Sequence, residues 1–282
     1  MTDLVPDVPA QGDDPCHPVS FGFADRQRLT LGSHGGQVLG WTPDGGAADR
    51  LWLSPAYACG PGKAIRGGIP VIFPQFSDRG PLPKHGIARD RAWEYRVAGG
   101  SPEVSYAAMN LVDDTATRAV WAHRFRLTLE VMAHPTALDL TLTVRNDGDE
   151  WFDFTAALHS YLAVGDGGAR IHGLEGRPAE DNAAGRAVVT LPGEPLDALE
   201  KRDVAVRGVT SPVVLDDPVL GPLTVTATGF ADVVVWNPGA GHGLADVPEG
   251  AEREFVCIEP AVLTPVWLSA GEEWHGSLRL SV

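Results

Sequence analysis

Cysteine, methionine and basic residues are scarce in this chain of 282 residues. It has three Cys, three Met, and 22 Lys and Arg residues against 37 Asp and Glu residues. Cys16, Cys59 and Cys257 form no CxxC pair and no metal-like spacing, so we predict reduced thiols and a cytoplasmic location rather than a disulfide framework. The net charge of −15 argues against nucleic acid and an anionic membrane surface as partners.

Signals for several other protein classes are also missing. No stretch approaches the roughly 20 apolar residues of a membrane span, and the N-terminus lacks the basic and apolar segments of a signal peptide. We expect residues 1–19 to form a flexible arm and residues 20–282 to form a single domain, because no composition break divides them. The absence of HxH, HExxH and GxSxG motifs disfavours a metal site and a serine nucleophile.

Short segments that alternate apolar and polar residues recur along the chain. The clearest are 125–132, 138–145, 223–228, 232–236, 255–259 and 277–282. Such alternation predicts half-buried strands. With 33 Gly and 23 Pro there is little room for long helices, and 47–53 and 195–202 are the two weak helical candidates. The pattern predicts an all-β protein, built as a large antiparallel β-sandwich.

The few basic residues are concentrated between positions 63 and 91. This stretch of 29 residues holds six Lys and Arg residues but only two Asp residues. Its Gly and Pro residues predict a series of turns that can direct the basic side chains inward. A solvated basic loop is the simpler interpretation. An anion-binding, catalytic surface is the alternative, and His85 within the stretch favours it.

Glu259 follows two apolar residues on one face of a predicted strand. Phe255 and Cys257 share that face because alternate residues of a strand point the same way, and we expect Pro260 to end the strand. A carboxylate at the edge of an apolar face tends to have a raised pKa, which suits a general base near neutral pH. The alternative is a strand-end carboxylate that points into solvent.

His159 would share a strand face with Thr155, Ala157 and Tyr161. Such a small, partly polar face can line a groove in which a histidine transfers a proton. A hydrogen-bonded structural histidine is the alternative. Trp236 places an aromatic ring at a strand end, as in many sugar sites, although a core tryptophan before a turn gives the same pattern.

Taken together, several motifs in order resemble the aldose 1-epimerase superfamily, and more narrowly its D-hexose-6-phosphate mutarotase branch. They span roughly residues 20–280 and comprise Arg66-Gly67-Gly68-Ile69-Pro70, Phe73-Pro74-Gln75-Phe76, His85-Gly86-Ile87-Ala88-Arg89, Trp93-Glu94, His159-Ser160-Tyr161, Val235-Trp236-Asn237-Pro238 and Val256-Cys257-Ile258-Glu259.

The resemblance implies a β-supersandwich of the galactose mutarotase type. It also implies cofactor-independent interconversion of the α and β anomers of a hexose 6-phosphate. Separately from the resemblance, we expect a monomer. Glu259 would remove the proton of the anomeric hydroxyl, His159 would protonate the ring oxygen, and His85 would hydrogen-bond at the same centre. The implied substrate ligands are Arg66 and Arg89 for the phosphate, together with Asp203, Lys84, Gln75 and Trp236.

Two segments depart from the pattern of the family. Residues 177–182 are RPAEDN where the family usually has Tyr-x-Asp-Lys, and residues 203–206 are DVAV where it usually has Asp-Arg-Val-Tyr. Asp203 keeps the carboxylate that is expected to bind a sugar hydroxyl. Two alternatives therefore stay open: an epimerase for unphosphorylated aldoses, and a non-catalytic carbohydrate-binding or sugar-phosphate-sensing module.

Overall fold

The computed structural model describes residues 14–22, 26–46, 48–101 and 103–282. The first ten strands are β1 (Val19–Gly22), β2 (Arg28–Gly32), β3 (Gln37–Thr42), β4 (Val71–Ile72), β5 (Glu94–Ser101), β6 (Val104–Val112), β7 (Phe125–His134), β8 (Ala137–Asn146), β9 (Phe152–Leu158) and β10 (Tyr161–Ala163). The next ten are β11 (Arg170–His172), β12 (Pro178–Asp181), β13 (Ala187–Thr190), β14 (Leu196–Asp197), β15 (Arg202–Val206), β16 (Val213–Asp216), β17 (Leu223–Thr228), β18 (Asp232–Asn237), β19 (Phe255–Leu268) and β20 (Glu273–Ser281). Helix α1 spans Thr115–Val120, and a 3₁₀ turn spans Ala251–Arg253.

Two large antiparallel sheets form the body of the molecule, which confirms the all-β prediction. The nine-stranded sheet has the order β14-β11-β16-β17-β20-β8-β7-β6-β5. The eight-stranded sheet has the order β13-β12-β15-β18-β19-β9-β4, with β10 also paired to β19. Strands β1, β2 and β3 form a smaller third sheet.

The main core receives alternate residues from both large sheets. In β8, for example, Leu138, Leu140 and Leu142 are buried in this core. Phe154 and Ala156 of β9 are buried in the same core. Because side chains of a strand alternate between faces, the residues between them point to the opposite side. One continuous apolar cluster contains residues from position 29 to position 280. The division into an arm and a single domain stays a prediction.

The predicted strands are confirmed, and most differ from the observed ones by one to four residues at their ends. The prediction that Pro260 ends its strand is wrong. The backbone N–H of Ile258 donates to the carbonyl oxygen of Ser160, so the nitrogen of Pro260, two residues later, faces the same edge. The neighbouring chain is interrupted at that edge between β9 and β10. No ladder hydrogen bond is lost there, and β19 continues to Leu268.

Both helical candidates are wrong. Residues 48–53 make isolated bridges at Leu51 and Leu53, position 47 lies outside the described residues, and 195–202 contains β14. The observed helix, α1, is capped by Asp114, whose carboxylate accepts from the Thr117 N–H. Six residues are too few for an apolar period to reveal it. Within the described part of the chain, no helix is long and apolar enough to cross a membrane.

The described part of the predicted arm is attached to the fold. Cys16 forms a disulfide with Cys59, and the carbonyl oxygen of Pro15 accepts from the backbone N–H of His34. The prediction of three reduced thiols is therefore wrong for two of them, and only Cys257 is a free, buried thiol. The thiol argument for a cytoplasmic location loses its basis. Residues 1–13, the rest of the predicted arm, lie outside the described residues.

Candidate active site

In four neighbouring strands of the eight-stranded sheet, one set of alternate residues points into the main core and the other set points away from it. On β9, β15, β18 and β19 this face carries small side chains, which form a separate buried cluster: Ala157, Ala205, Val234 and Ala261. Polar side chains lie beside this cluster on the same face. His159 follows β9, Asp203 lies on β15, Trp236 on β18 and Glu259 on β19. Residues distant in sequence therefore meet on one surface.

These side chains line a cavity of about 170 Å³. That is on the order of ten times the space that one water molecule requires, so a small polar ligand fits. The predicted site residues that line it are Arg66, Lys84, His85, Arg89, His159, Asp203, Trp236 and Glu259. Five further residues line the cavity and were not predicted as site residues from the sequence, namely Phe76, Ser77, Asn182, Val234 and Leu244.

His159 and Glu259 face each other at the bottom of the cavity. Nε2 of His159 lies 3.4 Å from Oε1 of Glu259, and the two residues are only 6% and 1% exposed. Nδ1 of His159 and Oε2 of Glu259 have no hydrogen-bond partner among the described residues. The imidazole stacks on Tyr161, with ring centroids 4.8 Å apart. A buried acid–base pair thus keeps polar atoms available for a ligand.

Burial pushes the pKa values of the two groups in opposite directions. It raises the pKa of Glu259 well above its usual range, and the charge of Asp203 raises it further. Burial also lowers the pKa of His159, and the positive charges of Arg89 and Arg66 lower it further. These effects favour the neutral acid beside the neutral imidazole, whereas the short contact favours carboxylate beside imidazolium. One proton is therefore shared between two sites.

His85 lies beside this pair in a left-handed backbone conformation, with φ of 67°. The backbone N–H of His85 donates to the carbonyl oxygen of Ser77, and the backbone N–H of Ser77 approaches the ring nitrogen Nδ1 of His85 at 3.4 Å. Burial and the charge of Arg89 lower the pKa of His85, so the ring is neutral. With Nδ1 as acceptor, the proton resides on Nε2. The ring centroids of His85 and His159 are 5.5 Å apart.

The two arginines differ in how they are held. Nε of Arg66 donates to Asp246 at 3.0 Å and Nη1 donates to the hydroxyl of Tyr161 at 2.9 Å. Arg89 has no hydrogen-bond or ion-pair partner among the residues that the structure describes, nor has the exposed Lys84. Two cationic groups at the cavity are thus free to pair with an anion, while Arg66 is fixed in place.

Asp203 and Trp236 are opposite each other in the pairing of β15 with β18. The indole meets the imidazole of His159 edge-on, with centroids 6.1 Å apart. The expected role of Gln75 as a substrate ligand needs correction. Its amide donates to the carbonyl oxygens of Ser77 and Leu82 and accepts from the Leu82 N–H. It is buried and holds the loop that carries Lys84 and His85 rather than facing the cavity.

Two groups of described side chains have the composition of a metal site: His159, Cys257 and Glu259, and Cys16, His34 and Cys59. Both cysteines of the second group are in the disulfide. In the first group, burial raises the pKa of the Cys257 thiol, which disfavours the thiolate that binds metals. The absence of a metal stays a prediction.

Comparison with known proteins gives consistent matches over nearly the whole chain. The model of the aldose 1-epimerase family matches residues 23–281. A Cenchrus ciliaris protein assigned as a glucose-6-phosphate 1-epimerase is 33% identical over 88% of this chain and 79% of its own length. An Escherichia coli protein with the same assignment is 29% identical over 83% of this chain and 79% of its own.

The solved structures agree on the fold. A crystal structure of a Salmonella typhimurium protein assigned as a mutarotase superposes with a TM-score of 0.83 at 24% identity, covering 94% of this chain and 92% of that one. A galactose mutarotase-like protein from Lactobacillus casei superposes with a TM-score of 0.75 at 15% identity, covering 94% and 99%. The predicted supersandwich is thereby confirmed.

Proposed function

This chain belongs to the aldose 1-epimerase family, and we propose that it interconverts the α and β anomers of a hexose 6-phosphate. The protein is thus an isomerase. The observation that carries the proposal is the buried pair of His159 and Glu259 in one cavity with Arg66, Arg89 and Lys84. The pair supplies an acid and a base, and the cations supply a place for a phosphate.

Ring opening begins when Glu259 is the carboxylate and His159 is the imidazolium. Glu259 takes the proton of the anomeric hydroxyl, and His159 gives its proton to the ring oxygen. The bond between the anomeric carbon and the ring oxygen breaks, and an aldehyde forms. The pair is then neutral acid and neutral imidazole, the state that burial favours.

Ring closure on the other face of the aldehyde reverses both proton transfers. The open-chain sugar rotates about the bond to its anomeric carbon. The hydroxyl at the former ring oxygen then returns its proton to His159, and Glu259 returns its proton to the carbonyl oxygen. No electrons are transferred and no co-reactant is consumed, so the reaction as proposed requires no cofactor. The neutral His85 is suited to donate its Nε2–H at the same centre.

Polarimetry on freshly dissolved α-glucose 6-phosphate tests the proposal. We expect the approach to anomeric equilibrium to accelerate in proportion to protein concentration. An unchanged rate at several concentrations would reject the enzyme. If calorimetry then showed binding of the sugar phosphate, the non-catalytic binding module would be selected instead. Equal acceleration for glucose and glucose 6-phosphate would select the epimerase for unphosphorylated sugars.

A further inference from the structure

Asn182 follows β12 and reaches the carboxylate that β15 presents to the cavity. Its Nδ2 donates to Oδ1 of Asp203 at 2.6 Å, and its backbone N–H donates to the carbonyl oxygen of Asp203 at 2.9 Å. Oδ2 of Asp203 has no hydrogen-bond partner among the described residues. One carboxylate oxygen is therefore fixed by the protein, and the other is free to accept from a ligand.

Arg79 determines which end of the Asn182 amide faces Asp203. Its Nη2 donates to Oδ1 of Asn182 at 2.8 Å, and its Nη1 donates to Glu180 at 2.8 Å. Because a guanidinium only donates, the amide oxygen must face Arg79 and the amide NH₂ must face Asp203. The side chain of Arg79 is 9% exposed, so water competes little for these hydrogen bonds.

We propose that Arg79 and Asn182 are positioning residues, which hold the Asp203 carboxylate ionised and turned toward a sugar hydroxyl. This inference rests on the proposed function. It gives a role to residues 177–182, the segment that departs from the family pattern. In place of the family's residues, this chain has two successive hydrogen bonds, from Arg79 in the loop 77–85 to Asn182 after β12, and from Asn182 to Asp203 on β15. We call these two hydrogen bonds the relay.

The charges around Asp203 show what the relay opposes. Burial raises the pKa of Asp203, and the hydrogen bond from Asn182 lowers it. The groups that act on Asp203 or respond to it are Arg79, Lys84, Asp181, Cys257 and Glu259. Without the Asn182 amide the pKa of Asp203 rises. The carboxylate then becomes protonated at a higher pH, and sugar binding weakens there.

Arg207 provides a matched control for Arg79. Its Nε donates to the other carboxylate oxygen of Glu180 at 2.8 Å, and its Nη1 donates to Asp232 at 3.1 Å. It therefore belongs to the same ion-pair cluster but makes no hydrogen bond with Asn182. A change that is specific to Arg79 cannot be explained by the loss of one arginine from this cluster.

The test measures kcat and KM for glucose 6-phosphate against pH in four variants. In Asn182→Ala and Arg79→Met we expect kcat/KM to fall roughly 10- to 100-fold, because the hydrogen bond from Asn182 to the charged Asp203 is removed in the first variant and loses its orientation in the second. The acid limb of the pH profile should move to higher pH in both. Arg79→Lys keeps a donor and should restore most of the activity, and Arg207→Met should leave the profile unchanged.

The outcomes separate this inference from the proposed function. An inactive wild-type protein would reject the function itself. An active wild-type protein with the same pH profile in Asn182→Ala, Arg79→Met and Arg207→Met would overturn the relay. If Asn182→Ala does not fold, Arg79→Met alone decides. Adding either substitution to Asp203→Asn should cause no further loss, because the relay acts only through that carboxylate, and additive losses would contradict it.

Discussion

At the residue scale, the proton that mutarotation moves has two places to reside, the carboxyl of Glu259 and the imidazole of His159. The ion pair and the neutral pair hold the same number of protons. The cycle can therefore pass from one to the other and back without exchanging a proton with solvent. The sequence indicated both residues, each by the face it occupies on its own predicted strand. The resemblance to the family implied that the two act on the same sugar. The sequence did not predict that Glu259 lies mid-strand with 1% exposure.

The pH dependence of kcat should be a broad plateau. Taking up a second proton is opposed by burial and by the charges of Arg66 and Arg89, which lower the pKa of His159. Losing the shared proton is opposed by burial and by Asp203, which raise the pKa of Glu259. The acid limb of the kcat profile is therefore shifted to lower pH, and the basic limb is shifted to higher pH. We expect similar rates at about pH 6 and pH 8, and an acid limb centred near 6.5, the value of a free imidazole, would contradict this.

The two arginines should respond differently to substitution. Arg89→Met removes a guanidinium without a protein partner, so KM for glucose 6-phosphate should rise roughly 10- to 100-fold with little change in unfolding free energy. Arg66→Met should also destabilise the fold by about 1–3 kcal/mol, because Asp246 and the Tyr161 hydroxyl lose their donor. Steady-state kinetics and denaturant unfolding measure both effects. Equal stability losses would contradict the distinction. Kinetics on unphosphorylated glucose are the control, because KM for glucose should rise much less in Arg89→Met than KM for glucose 6-phosphate.

At the element scale, strands were predictable from the sequence, whereas the directions of the side chains in the turns were not. The apolar alternation in 125–132 and 138–145 identifies β7 and β8, because each buries one face against the other sheet. Gln75 is an example of a turn residue whose side-chain direction the sequence does not predict. The resemblance to the family implied a substrate ligand at this position, but the amide instead satisfies three backbone groups of the turn. Only the folded path of the loop determines whether such a polar side chain points inward or outward.

Gly86 fixes the turn that presents His85. Its φ is +72°, and a Cβ there would lie 2.1 Å from the carbonyl oxygen of Phe73. Gly86→Ala should therefore destabilise the protein by more than the roughly 1–3 kcal/mol of a strained backbone alone, and should displace His85. Gly176→Ala is the control, since φ is +67° and a Cβ there meets no atom within 4 Å. Chemical denaturation of both variants measures the difference, and equal losses would show that the contact with Phe73 is unimportant.

At the scale of the whole molecule, the pairing of Cys16 with Cys59 could not be predicted. A scattered set of three cysteines fits reduced thiols, and only the fold brings residues 43 positions apart into contact. Thiol titration of the denatured, unreduced protein should find one thiol per chain, and three after reduction. A loop of this length predicts a loss of roughly 4 kcal/mol on removing the bond, measurable with Cys16→Ser/Cys59→Ser. Three thiols before reduction would contradict the bond.

The net charge of −15 and the local cluster of cations have opposite effects on the binding of a sugar phosphate. A surface of that sign repels a sugar phosphate at long range. Arg89 and Lys84 at the cavity offset this at short range, where charge-assisted hydrogen bonds are strong. The whole molecule therefore selects its anion by contact rather than by long-range attraction.

The most direct test is the exchange rate between the two anomers of glucose 6-phosphate at equilibrium, measured by magnetisation-transfer NMR with wild-type protein and with Glu259→Gln. Wild-type protein should accelerate the exchange, and the isosteric substitution should lower the catalysed rate by on the order of 10²- to 10⁴-fold while the folded structure is kept. A Glu259→Gln protein that exchanges the anomers as fast as the wild type would contradict the role of the buried pair.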